Sequence, residues 1–362
     1  MPWYLRQYLP QLREAVDRAP SIFNQRPWEL VPTTDDDRVE LYSVPNDALA
    51  DAGLLREAVI SCGAALYNLR LAIRVAGREP IVSLLPGLSL DSGLLDAVTG
   101  DRTLLASVEV MPHRATRPTT ANQELYEALW LRRTDRGPYR YLPVPPPILV
   151  EMEQAAAREH GWLRTLTPGE CRRARRAAIS ASRELDRRLA ALLPAVPTAA
   201  YGPAPEDEKE PLTRPDFWLP QTVARFERHP VMMALSTDDD RPLDWLRAGQ
   251  ALQHALLAGT RFSMSAPGGR SAPYGEQLSY GPLDPHRFRP RPAVPAGYAV
   301  EASFLTQSLE LADMRHRVRS WPWRTSYTEV PQMVLRVGYA PVARRPAVDE
   351  PHTPPVPRPV GD

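Results

Sequence analysis

Arg132, Arg133, Thr134 and Arg136 crowd together just ahead of a Gly137-Pro138 turn. Guanidinium groups bind phosphate and carboxylate through paired hydrogen bonds, so the cluster could hold an anionic ligand. A solvated basic turn uses the same residue types. Arg344 and Arg345 form a second basic pair near a Pro-rich end, and by themselves read as a flexible basic tail. Pro20, Ser21, Asn24 and Arg26 lie in the run Ala19-Pro20-Ser21-Ile22-Phe23-Asn24-Gln25-Arg26-Pro27-Trp28. Pro, Ser and Asn are common where a helix stops and turns. A neutral Asn with backbone amides also suits the mixed donor and acceptor edge of a polar ligand.

Other chemistries find less support. The seven histidines (113, 160, 229, 254, 286, 316 and 352) include no pair at metal-ligand spacing. His254 reads as a core or surface residue before a lining one. No G-x-S-x-G, P-loop or G-x-G-x-x-G is present. The acidic runs Asp35-Asp36-Asp37 and Asp238-Asp239-Asp240 fall between predicted elements, where solvated turns are far commoner than cation sites. Cys62 and Cys171 are the only cysteines; Cys62 sits among apolar residues and is expected as a packed thiol.

These groups need elements to position them. Residues 4–18 carry apolar side chains at helical spacing (Leu5, Tyr8, Leu9, Leu12, Ala15, Val16), and Pro20 stops that helix. Strands are expected at Trp28–Val31, Val39–Val44, Ile81–Leu85, Leu104–Met111, Val231–Leu235 and Met333–Tyr339. Helices are expected over Leu54–Ala76 with Gly77 as the stop, from near Asn122, from near Ile148, over 168–194 and over Asp244–Arg261. Gly63-Ala64-Ala65-Leu66 and Leu71-Ala72 align with Gly249-Gln250-Ala251-Leu252 and Leu257-Ala258 at one constant offset. Small residues at those places let two helices approach closely. By itself the match is near chance, since Ala- and Leu-rich helices often align; together with the Ala19–Trp28 run and the Arg132–Arg136 cluster it supports two similar α+β halves packed face to face.

The run from Ala19 to Trp28 resembles the A-P-S-x-x-N-x-Q-P-W signature of the nitroreductase superfamily. Arg132-Arg133-Thr134-Asp135-Arg136-Gly137-Pro138-Tyr139 is similar to that superfamily's R-R-S-x-R-x-F arm. The form most alike is the actinobacterial Acg-like branch, through Thr198-Ala199-Ala200-Tyr201-Gly202-Pro203, Phe226-Glu227-Arg228-His229-Pro230 and Leu235 to Gly249. The resemblance covers roughly residues 15–346. It implies an α+β, nitroreductase-like fold of two tandem homologous halves, each with a mainly antiparallel sheet flanked by helices. The first half would be 1–120 and the second 121–346, with a lid insertion at about 196–225 and a disordered Pro-rich tail at 347–362.

The resemblance further implies FMN as cofactor. Pro20, Ser21, Ile22, Asn24 and Arg26 would face the flavin from one side. Arg132 and Arg136 would reach its phosphate and pyrimidine edge, Arg133 and Thr134 would supply backbone and hydroxyl contacts, Arg344 and Arg345 would clamp the phosphate, and a loop carrying Ser265 and Gly268 would lie near the reactive nitrogen. Phe23, Tyr201, Asp216, Phe217 and Trp218 would line a substrate space or lid. Two departures stand out: the branch usually has His where Phe23 stands, and Arg26 replaces the family Gln. Arg26 would either stabilise reduced, anionic flavin or pair with an acid.

A chain of 362 residues with 43% hydrophobic composition can bury a sizeable core, and its net charge of +1 gives no electrostatic footprint for nucleic acid. Lys209 is the only lysine among 44 basic residues, a bias that reads as GC-rich codon usage. No apolar run reaches the roughly 20 residues that span a bilayer; the nearest, Ala58 to Ile73, is broken by Asn68 and Arg70. The N-terminus, Met1-Pro2-Trp3-Tyr4-Leu5-Arg6, does not read as a secretory leader. The expectation is a cytoplasmic monomer with an internal pseudo-dimer, passing electrons from flavin to a small organic acceptor with NADH or NADPH as source. The alternatives are a flavin-sequestering protein whose lid closes over the ring, and a member that has lost flavin.

Overall fold

A long helix in the first part of the chain and a second near its middle are buried on almost every side. They are α2 (Ala52–Val75) and α5 (Pro242–Thr260). The computed structural model describes residues 5–21, 24–34, 37–44, 52–87, 102–115, 117–134, 139–140, 142–172, 174, 231–265, 298–304 and 329–341. Ahead of α2 come α1 (Leu5–Val16), β1 (Trp28–Pro32) and β2 (Arg38–Ser43); after it come β3 (Arg78–Leu84) and β4 (Thr103–Ala115). Helices α3 (Thr120–Leu131) and α4 (Pro146–Ala157) lead to β5 (Trp162–Thr165) and β6 (Val231–Thr237). Beyond α5 lie a 3₁₀ turn at Arg261–Ser265, β7 (Tyr298–Phe304) and β8 (Val330–Pro341).

The class is α+β. Two four-stranded sheets run in the orders β1-β2-β4-β3 and β5-β6-β8-β7, every pairing antiparallel. Each sheet has the same rank order, and in each the long helix connects the second strand to the third. The leading Trp of each sheet, Trp28 or Trp162, pairs with a Ser of the next strand, Ser43 or Ser236. Each Trp follows by two a non-glycine residue with positive φ: Arg26 at 50° and His160 at 61°.

Sequence explains most of these elements. In β2 the burial alternates, with Val39, Leu41 and Ser43 inward, the mark of a strand covered on one face. From Gln332 to Ala340, β8 is buried throughout, as a central strand covered on both faces must be. Helix α3 starts where Thr119 accepts a hydrogen bond from the Asn122 N–H at 3.2 Å. Helix α5 opens with Pro242 in its first turn, and the Asp244 carboxylate accepts the Arg241 N–H at 3.2 Å. Helix α2 stops just before Gly77, whose φ of 78° is one that glycine takes without strain.

By length and composition α2 could cross a membrane, but most of it is buried inside the protein. A helix that is apolar all round is a core helix here. Its Gly63 lies against Gly249 of α5, where a Cβ on Gly249 would enter the Ile60 carbonyl oxygen and a Cβ on Gly63 that of Leu246. The two clashes are mates at a constant offset, which is the reciprocity of a two-fold contact. The next layer repeats it: Tyr67 stacks on His254 at 4.7 Å between ring centroids, and the Gln253 amide donates to Asn68 Oδ1 at 2.7 Å. Arg56 of α2 reaches the Gln332 side chain on β8 and lies 3.3 Å from Asp240.

The strands at β5 and β7 were not among the expected ones. The expected helix at 168–194 is seen over 168–172, and the rest of it lies outside the described residues apart from Ala174. The lid segment 196–225 and the tail 347–362 also lie outside them.

Candidate functional site

The Ala19–Trp28 run forms a tightly pinned turn between α1 and β1. Ser21 holds it twice: its carbonyl accepts the Asn24 N–H at 3.1 Å and its Oγ accepts the Arg26 N–H at 3.0 Å. Asn24 and Arg26 have φ of 58° and 50°. Left-handed backbone costs an L-residue about 1–2 kcal/mol, less for Asn, so the surroundings must hold Arg26 there. They do so through the Arg26 carbonyl, which accepts the Trp28 N–H at 2.7 Å, and through Pro27, whose carbonyl accepts Val44 N–H at 3.2 Å and the Cys62 thiol at 3.0 Å. Trp28 Nε1 donates to Asp17 Oδ1 at 3.1 Å. The Arg26 guanidinium is half exposed and 4.0 Å from Asp17, the acid-pairing alternative for this residue. Ile22 and Phe23 lie outside the described residues.

The arginine arm meets this turn at the end of α1. Arg132 Nη2 donates to the Arg18 carbonyl at 3.2 Å, and Arg132 Nη1 to Thr134 Oγ1 at 3.3 Å. The Arg18 guanidinium lies 4.5 Å over the Trp130 ring, a cation–π contact. Farther on, the Arg140 N–H donates to the Tyr339 carbonyl of β8 at 2.9 Å. Tyr139 lies flat on Gly338, where a Cβ would strike its ring, and the buried Arg336 guanidinium sits 4.3 Å from that ring. The arm is thus fastened at one end to α1 and at the other to β8. Arg136 falls between the two fastenings and outside the described residues.

The Arg18–Arg132 hydrogen bond thus ties the start of the arm, with Arg132, Arg133 and Thr134, to the residue just before the run that carries Pro20, Ser21, Asn24 and Arg26. Ser265 ends the 3₁₀ turn after α5, and nearby Ser263 Oγ accepts the Val300 N–H of β7 at 2.8 Å. Gly268, Arg344, Arg345, Tyr201, Asp216, Phe217 and Trp218 lie outside the described residues.

Two residues beside these motifs escaped the sequence reading. Both polar atoms of the Gln25 amide are shielded from solvent and make no hydrogen bond, and the same holds for Trp130 Nε1. Buried polar groups nearly always find partners. Nothing in the sequence flags either residue, because their burial exists only in the folded chain.

Several other ionisable groups among the described residues have structural partners. Glu159 receives Arg70 Nη1 at 2.5 Å, and its other oxygen is 3.4 Å from His254 Nδ1. Burial alone would raise the Glu159 carboxyl; His254 and Arg70 outweigh it and hold it below the ordinary range. His254 is a core residue, as expected. The Asp238–Asp240 run is more than a solvated turn: Asp238 accepts Trp162 Nε1 at 2.9 Å, Asp240 accepts Trp245 Nε1 at 2.7 Å, and Asp239 pairs with Arg241 at 2.7 Å. Among the described residues no three His, Cys, Asp or Glu side chains converge as metal ligands would.

No family model matches the chain. It is 28% identical over 361 residues, covering 94% of its length and 86% of the relative, to a Mycobacterium tuberculosis protein provisionally named NAD(P)H nitroreductase Rv3131, found in two strains. It is 32% identical over 127 residues, 35% of this chain and 34% of the relative, to the M. tuberculosis protein provisionally named NAD(P)H nitroreductase Acg.

Proposed function

We propose that this chain, a relative of the Acg-like branch of the nitroreductase superfamily, is an FMN-binding oxidoreductase that passes electrons to a small organic acceptor. The observation that carries the reading is the Arg18–Arg132 hydrogen bond at 3.2 Å. It joins the two segments that the resemblance assigns to a single flavin. The residues present fit such a group. Arg132, with Arg133 and Arg136, supplies fixed positive charge suited to a phosphate. The turn supplies Ser21 and the Gln25 amide, whose polar atoms await partners.

Bound flavin would carry the electron transfer itself, as cofactors of this kind do. The chain's part is to bind, orient and shield. Arg132 stays planar and charged at every working pH, so it can fix an anionic end. The Ser21 clamp and the Pro27 contacts keep the turn from relaxing when a ligand enters. Trp130, under Arg18, walls the junction with an apolar face. NADH or NADPH as electron source follows from the relatives' names alone.

We also read the chain as two like units, α1–β4 and α4–β8, joined by α3 and packed as a pseudo-dimer within a monomer. The shared strand order, the paired Trp–Ser register and the reciprocal glycine contact support this. A second functional reading, sequestration of FMN under a lid formed by about 196–225, rests on the resemblance of that segment.

The absorbance spectrum of the purified protein, with flavin identified after heat release, is the first test. A colourless protein that takes up no added FMN ends the proposal. Bleaching of bound flavin by NADH or NADPH supports the oxidoreductase; reduction by dithionite alone supports sequestration.

A further inference from the structure

Gln25 sits between the two left-handed residues of the turn, Asn24 and Arg26, with φ of 58° and 50°. Its amide Oε1 and Nε2 are both cut off from water and both lack a hydrogen-bond partner. The turn is fastened on either side, by Ser21 to the Asn24 and Arg26 N–H groups and by Val44 and Cys62 to the Pro27 carbonyl. Those ties fix the backbone on both sides of Gln25. A carboxamide in this state selects its partner by chemistry. A phosphate or carboxylate would satisfy Nε2 and leave Oε1 facing negative charge. A cation would satisfy Oε1 and leave Nε2 unpaired. An edge that offers an N–H and a carbonyl side by side satisfies both at once. The nearby charge does not compete, because the Arg26 guanidinium is turned out toward Asp17 at 4.0 Å.

We infer that the Gln25 carboxamide is a recognition group for an imide edge, accepting the ligand's ring N–H at Oε1 and donating Nε2–H to the adjacent ring carbonyl. This rests on the flavin reading above, where that edge is the N3–H and neighbouring carbonyl of the isoalloxazine pyrimidine. Gln25 then fixes which end of the tricycle enters, while Arg132 and its neighbours hold the phosphate. Leaving a buried donor and acceptor unmatched is costlier than never having them, so the site rejects flavins that cannot complete the pair.

The test is quenching of flavin fluorescence by the full-length protein, with FMN and with N3-methyl-FMN, which lacks the donor. The wild type should bind FMN about ten-fold more tightly than the N3-methyl analogue, the loss expected for one buried pairing. Gln25→Ala and Gln25→Glu should bind FMN about ten-fold more weakly and lose most of the preference. Arg132→Ala should weaken both flavins alike and keep it. A wild type that does not distinguish the two flavins, or a Gln25 variant that still does, overturns the inference while leaving the flavin reading intact. A wild type that binds neither flavin overturns both. The wild-type comparison needs no substitution, so a variant that folds poorly does not blunt it.

Discussion

Arg132 Nη2 donates to the carbonyl oxygen of Arg18 across 3.2 Å, joining residues 114 positions apart. The bond makes the end of α1 and the end of α3 one corner of the molecule. Arg18 adds its own contact by lying over Trp130, two residues before Arg132. A planar guanidinium can reach a carbonyl and a hydroxyl at once, as Arg132 does with Arg18 and Thr134.

Arg132→Lys should therefore fail to substitute. A lysine keeps the charge but not the fork. Flavin titration should show affinity about ten-fold weaker for both Arg132→Lys and Arg132→Ala, with stability falling by only about 1 kcal/mol because the junction is exposed. Full affinity in Arg132→Lys would show that charge alone suffices.

Gly249→Ala should be severe. The new Cβ enters the Ile60 carbonyl, and backbone cannot step aside as a flexible side chain can. A loss of about 3 kcal/mol or more is expected, read as a fall in thermal midpoint or as insoluble protein. Ala at Gly87 meets no neighbour within 4 Å and is the contrast, although its φ of +79° still carries a smaller conformational penalty.

Glu170 sets an acid limit. Burial alone would raise its carboxyl, but the Arg164 fork at 2.9 and 3.2 Å, with the Thr167 N–H and hydroxyl at 2.8 and 2.9 Å, holds it down at about 2. A depressed carboxyl stabilises the fold fully above its unfolded value and loses that contribution as pH falls toward its folded one. The denaturation midpoints of wild type and Glu170→Gln should differ most above about pH 5 and converge as pH approaches 2. A gap that is constant with pH would contradict this origin.

The two cysteines should label differently. Burial pushes the Cys62 thiol up to about 12, and that thiol is fully enclosed and bonded to the Pro27 carbonyl at 3.0 Å. Cys171 is half-buried, and burial raises it too. Iodoacetamide at mildly alkaline pH should modify Cys171 slowly in the native protein and Cys62 only after denaturation, as mass spectrometry would show. Native labelling of Cys62 would mean that β1 and α2 separate readily.

What the sequence made legible were features with strong local signals. Val39-Glu40-Leu41-Tyr42 alternates and is a strand; Leu54 to Val75 is mostly apolar, with few charges, and is a core helix; Gly77 stops it. The four-residue β5 was too short to show a period, and in β7 the buried positions are Val300 and Ala302, where a small Ala gives little contrast. The Gly63–Gly249 alignment was faint as a pattern, and the direct contact between those residues lies beyond any local rule. The resemblance assigns Asn24 and Arg132 to one ligand, and the structure bonds Arg132 to Arg18, just ahead of the run that carries Asn24. Gln25 stayed hidden because a glutamine between two polar neighbours looks like surface until the turn closes over it.

The glycine seam between α2 and α5 has one further consequence. When two identical chains meet across an axis, every contact occurs twice, and a change in one copy is forced on the other. Here both faces are encoded separately. That freedom shows one layer away from the glycines, where Tyr67 faces His254 while Asn68 faces Gln253. A single polypeptide can thus specialise one flank of such a joint and leave the opposite flank plain, an option closed to two identical chains.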